Sequence, residues 1–246
     1  MSEVLVPTPN GQMPCWFAVP ALPGSEPASG QGAQPARFPG VVVLHDVAGM
    51  TRDHRQQADW LGEAGFLSLA VNLYYRGGFP LCLRSIMRDC AARSGPLFDD
   101  IEAARSWLLA QRACSGKVGV IGFCMGGGFA LMLVSGHGFS AASINYGGKL
   151  PSDVDDFLKA PCPVIGSYGG LARFEKGAAD QLQRALDRAL VPHDVKEYPG
   201  AGHSFMNNHR GYFIFKVLRY RDIGYNEEAT LDARHRIAAF FHTHLD

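Results

Sequence analysis

The stretch Val118-Gly119-Val120-Ile121-Gly122-Phe123-Cys124-Met125-Gly126-Gly127-Gly128 constrains the fold more than any other part of this chain. An apolar run of strand type enters a turn in which glycines stand two residues before and two residues after a cysteine, and a helical pattern follows. Side chains at those two flanking positions would collide where a helix packs back tightly on its strand, so only glycine fits. Cys124 between them is expected to be strained and exposed at a helix N-terminus. The partial positive charge there favours an anionic sulfur, and the Met125 N–H is left free to stabilise an oxyanion. A glycine-rich strand–helix turn that merely packs, with a buried cysteine inside it, is the alternative reading.

The same strand-then-helix order recurs along the chain. Residues 40–45 form a continuous apolar run of the kind found in buried parallel strands. Helical patterns at 52–64, 97–112, 125–135, 176–190 and 227–244 alternate with strand patterns at 66–71, 117–122, 141–146, 163–168 and 193–198. Val4–Val6 and Met13–Val19 predict a short edge hairpin around Pro9-Asn10-Gly11, and the Gly-, Pro-, Ser- and Ala-rich residues 21–39 predict a connecting loop. This order predicts an α/β fold: a mostly parallel central sheet with helices on both faces and its site at the C-terminal ends of strands. With no repeat and no second boundary, residues 1–246 read as one domain.

Composition narrows the function classes. The formal net charge is +0, which argues against nucleic acid or a charged membrane surface as partner. No apolar run approaches the ~20 residues that span a bilayer, and the N-terminus lacks a signal-peptide pattern, so a cytoplasmic protein is expected. Six cysteines at 15, 82, 90, 114, 124 and 162 show no CxxC pair. Neither a disulfide framework nor zinc is indicated, and without a GxGxxG or P-loop no metal or organic cofactor is expected.

A base for the cysteine is legible downstream. Glu197-Tyr198-Pro199-Gly200-Ala201-Gly202-His203-Ser204-Phe205 places a histidine in a glycine-rich loop after the last strand pattern. From there His203 can reach over the Cys124 turn, take the thiol proton and later help water cleave a thioester. His235, His242 and His244 fall on the last helix, as surface or helix-end residues.

Gly-Phe-Cys-Met-Gly-Gly at 122–127 resembles the corresponding turn of the dienelactone hydrolase family, and the resemblance runs from His45 to the final helix. It implies the α/β-hydrolase fold and a hydrolase of small esters or enol-lactones. Gly-Ala-Gly-His-Ser-Phe at 200–205 matches the family's base. The family's third member is an Asp in a run resembling Tyr-Gly-Gly-x-Asp, but here Tyr168-Gly169-Gly170-Leu171-Ala172 puts a methyl group at that position. Three explanations stand open: Glu175 reaches the histidine in its place (Asp180 being further off on a helix surface), a weak Cys–His dyad operates, or catalysis has been lost. By the same resemblance, Asp46 after His45 would hold or receive the thiol proton, or else simply form a turn. His45 itself is expected to face the core, and the Val47 N–H would complete the oxyanion hole. Asn72-Leu73-Tyr74-Tyr75-Arg76 resembles a segment whose arginine contacts a substrate carboxylate, which points to carboxylate-bearing substrates unless Arg76 is a plain surface residue. The family's second arginine is replaced by Asn207, and Arg210 could substitute only on an inward-turning loop.

Residues 79–95 and 206–226 are longer than simple connections and read as lids over the site or, equally, as dimer contacts or solvated loops. The expected protein is an ester or lactone hydrolase, a monomer or homodimer acting on a small molecule. Two rivals keep the fold: a small-molecule-binding protein with a vestigial pocket, and an enzyme of peroxide or thiol chemistry through Cys124.

Overall fold

The computed structural model describes residues 1–21, 36–79, 81–209 and 222–246. Its strands form an eight-stranded sheet in the order β1-β2-β4-β3-β5-β6-β7-β8. β1 (Ser2–Thr8) and β2 (Gly11–Ala18) make the expected hairpin, and β2 lies antiparallel on β4 (Leu67–Val71). All further pairings are parallel, through β3 (Phe38–Leu44), β5 (Cys114–Phe123), β6 (Ala142–Asn145), β7 (Val164–Gly169) and β8 (His193–Tyr198).

The continuous apolar runs of β3 and β5 follow from burial on both faces. Val42 and Leu44 with Val118 and Val120 enter one core, while Val41 and Val43 with Ile121 and Phe123 enter the other. The first core is closed by α3 (Pro96–Leu109), α4 (Met125–Met132) and α6 (Ala178–Ala189) through Ile101, Leu108, Phe129, Leu182 and Leu186. The second is closed by α1 (Arg52–Glu63) and the final helix α7 (Glu227–Leu245) through Leu61, Ile237, Phe241 and Leu245. Each such side chain contributes on the order of 1.5–3 kcal/mol by leaving water. Thr51 and Asn226 cap α1 and α7 by accepting from the His54 and Ala229 amides, which sets where both helices begin.

Two helices were not anticipated. α2 (Leu81–Ala92) occupies most of the connection expected over 79–95, with Cys82, Ile86 and Cys90 buried at spacings of four. A single turn, α5 (Val154–Phe157), follows β6. Residues 210–221, with Arg210 and most of the second expected lid, lie outside the described residues, as do 22–35 of the expected loop. Among the described residues no helix is long and apolar enough to cross a membrane.

Candidate active site

Cys124 sits between β5 and α4 with φ 54° and ψ −116°, a conformation that costs a non-glycine residue about 1–3 kcal/mol. Packing explains why it persists. A Cβ on Gly122 would lie 1.9 Å from the Gly126 carbonyl oxygen, so helix and strand meet at a distance only bare backbone allows. Asn145, at the end of β6, clamps the turn from below. Its carbonyl accepts the Cys124 amide at 3.0 Å, and its side-chain Nδ2 donates to the Gly122 carbonyl at 3.1 Å.

His203 lies on the loop after β8, where its amide donates to the Asp222 carbonyl at 2.6 Å and its carbonyl accepts from Gly224 at 2.9 Å. The imidazole is buried, and its Nδ1 is 3.1 Å from Oε2 of Glu175. The ring N–H is not aimed squarely at that oxygen, so this is an ion-pair contact rather than a well-directed hydrogen bond. The imidazole and the Cys124 sulfur line the same cleft. Burial pulls the imidazole toward the neutral form, but hydrogen bonds and charge from Cys124 and Glu175 outweigh it and hold the pKa at about 9.

Glu175 reaches the ring from a short turn, Arg173–Glu175, that Ala172 begins by accepting the Glu175 amide at 3.0 Å. The carboxylate is almost fully buried, and its Oε1 accepts the Gly148 amide at 3.0 Å. The two loops come together because Gly169 has no side chain: a Cβ there would be 2.3 Å from the Gly202 carbonyl oxygen. Ala172 is itself buried and carries no polar group. Asp180 pairs with Arg184 on an exposed face of α6.

The β3–α1 turn carries Val47. Asp46 engages Ala48 N with Oδ1 at 2.8 Å and His209 Nε2 with Oδ2 at 2.6 Å, so its carboxylate braces this turn. Burial opposes the charge on His209, yet the Asp46 carboxylate raises its pKa. His45 is fully buried, with Nδ1 on the Asp46 carbonyl at 2.6 Å and Nε2 accepting from Leu73 N at 3.1 Å; burial lowers its pKa. The Tyr74 hydroxyl donates to the Val47 carbonyl at 3.0 Å and touches the Met125 sulfur at 3.9 Å, linking the two candidate oxyanion segments. Among the described residues neither the Val47 nor the Met125 amide donates to another backbone group.

A cleft of about 360 Å³ opens over Cys124, lined by Met87 and Cys90 of α2, by Met125, Phe129 and Met132 of α4, and by Phe174, Glu175 and His203. Neither Asp46 nor Arg76 is among its lining residues. The Arg76 Nε lies 3.6 Å from the buried Asp100 carboxylate instead. Asn207 is buried behind the histidine, accepting from Tyr146 Oη and donating to Asp53 Oδ2, each at 2.6 Å. Among the described residues no group of three or more His, Cys, Asp or Glu is placed to hold a metal ion. Sequence reasoning missed Asn145, the bracing role of Tyr74, and His209. Only α2, through its four-residue spacing, left a trace that could have been read.

A model of the dienelactone hydrolase family matches residues 28–245. The chain belongs to the dienelactone hydrolase family. A carboxymethylenebutenolidase of Pseudomonas putida is 28% identical over 183 residues, covering 70% of this chain and 77% of that one. Among solved structures, a dienelactone hydrolase-like promiscuous phosphotriesterase from metagenomic libraries superposes with a TM-score of 0.75 at 21% identity, covering 100% and 99% of the two chains. A dienelactone hydrolase of Anabaena variabilis does so with a TM-score of 0.68 at 18% identity, covering 100% and 98%. This member of the dienelactone hydrolase family is thus a hydrolase with the α/β-hydrolase fold, a mostly parallel sheet with helices on both faces.

Proposed function

We propose that the protein cleaves small carboxylic esters or lactones through a thioester on Cys124, with His203 as proton carrier and Glu175 in the role that the missing acid at Ala172 leaves open. The observation that carries this reading is the buried Glu175 carboxylate 3.1 Å from the His203 imidazole, in the cleft that both share with Cys124.

An imidazole with a pKa of about 9 is protonated at neutral pH, and in this reading Cys124 reacts as the thiolate beside it. The thiolate attacks the carbonyl carbon, and the new oxyanion lies against the Val47 and Met125 amides. As the tetrahedral adduct collapses, the leaving alkoxide takes the His203 proton and the acyl group remains on sulfur. Acylation then removes the Cys124 charge and hydrogen bond that kept the imidazole protonated. Burial now favours the neutral ring, which becomes the base that deprotonates an attacking water. Collapse of the second adduct expels thiolate, and the imidazolium is restored. Glu175 fixes the Nδ1–H tautomer throughout.

A catalytically compromised binding protein was the rival suggested by Ala172. A buried carboxylate at 3.1 Å from the imidazole supplies the function that residue lacks and weighs against the rival. The test is p-nitrophenyl acetate hydrolysis with mass detection of an acyl adduct on Cys124. Release no faster than that of Cys124→Ala would end the hydrolase reading.

A further inference from the structure

We propose that the cleft is built for esters whose acyl group is uncharged and apolar, and that it rejects acyl groups ending in a carboxylate. This rests on the reading of Cys124 as nucleophile and narrows its substrate class. It replaces the expectation, drawn from Arg76, of carboxylate-bearing substrates.

Three placements lead there. Most side chains that line the cleft with Cys124 are thioether or aromatic, among them Met87, Met125, Met132, Phe129 and Phe174. Unbranched methionines adapt to apolar groups of differing shape but give an anion nothing to bind. Among the described residues no lysine or arginine lines the cleft, and its charged members are Glu175 and His203, which face each other. A substrate carboxylate there would meet the Glu175 anion, while the imidazolium is already engaged.

Among the described residues, the positions from which a cation was expected, 76 and 207, are committed elsewhere. Arg76 is the counter-charge of Asp100, a carboxylate only 3% exposed that also accepts from Asn10 Nδ2 at 2.9 Å and Tyr75 Oη at 3.2 Å. Turning Arg76 toward the cleft would leave Asp100 buried without its cation. Asn207 is neutral, and both ends of its amide are held by Tyr146 and Asp53. Position and charge both disfavour an anionic acyl group.

The experiment compares p-nitrophenyl hexanoate with the mono-p-nitrophenyl ester of adipic acid, which has the same chain length and leaving group but a terminal carboxylate. The hexanoate is expected to have a kcat/KM higher by about 10²-fold or more. Met87→Arg, which puts a cation into the cleft wall, is expected to lower the ratio of the hexanoate value to the adipate value at least about tenfold, and an unchanged ratio would count against the proposal. Equal or better turnover of the adipate ester by the unmodified protein would overturn the proposal.

A second measurement does not depend on turnover. Alkylation of Cys124 by N-hexyl iodoacetamide and by iodoacetate, each scaled to its rate with N-acetylcysteine, reads the charge preference of the cleft directly. The neutral reagent is expected to gain at least about tenfold on the anionic one, and parity or the reverse order would refute the apolar assignment. Hydrolysis surviving in Cys124→Ala would refute the thioester reading alone, with the alkylation ratio still deciding the cleft.

Discussion

Glu175→Gln separates the charge of the carboxylate from its shape. The amide oxygen can still accept from Gly148, so the turn at 173–175 keeps its anchor. What is lost is the anion 3.1 Å from the imidazole. Holding the imidazole at about 9 rather than its ordinary 6.5 corresponds to about 3 kcal/mol in favour of the proton. Glu175 shares that work with Cys124, the larger contributor, so losing the anion removes part of it. The glutamine NH₂ also favours the tautomer with an unprotonated Nδ1, which leaves the proton on Nε2 and no lone pair there to accept one. In a serine triad that error costs about 10⁴, and a thiol needs less help to ionise. A fall in kcat/KM of about 10²- to 10³-fold is therefore expected. The sign of the pH effect is fixed as well. Acylation needs imidazolium, so activity in the unmodified protein falls as pH rises through about 9, and removing the anion moves that alkaline limb to lower pH. The assay is a pH series of kcat/KM on one p-nitrophenyl ester. A loss under about fivefold with the alkaline limb unmoved would refute the assignment of Glu175.

Further expectations follow from the same geometry. Ala172→Asp should bring no gain beyond a few-fold and should lower Tm, because the site is sealed from water and the imidazole already has its carboxylate; a gain of orders of magnitude in turnover would contradict this. Tyr74→Phe should lower kcat about tenfold with KM little changed, since the hydroxyl steadies Val47 without lying in the cleft, and steady-state kinetics would check it. Gly122→Ala should cost several kcal/mol or prevent folding, read by urea denaturation, because its methyl would meet the Gly126 carbonyl.

The fold was legible because burial on both faces of β3 and β5 leaves continuous apolar runs that few other structures need. The Cys124 turn was legible for a steric reason, the bare backbone at Gly122 and Gly126. The acid was open in the sequence because one extra methylene and a three-residue turn let Glu175 arrive where an aspartate at 172 would point, and only coordinates show that reach. Arg76 misled for the opposite reason. A cation's role depends on which carboxylate it meets, and Asp100 comes from a helix some two dozen residues on. His209 left no local mark at all, since its partner Asp46 lies far away along the chain.

Asn207 and the Asn208 amide both grip Asp53 in the first turn of α1, at 2.6 and 2.7 Å. The loop bearing the imidazole is thereby moored to the helix that starts beside the Val47 turn. α2, which packs chiefly on α3, presents Met87 and Cys90 to the cleft from the other side. Admission of bulky acyl chains should thus be governed by the Met87 side of the entrance.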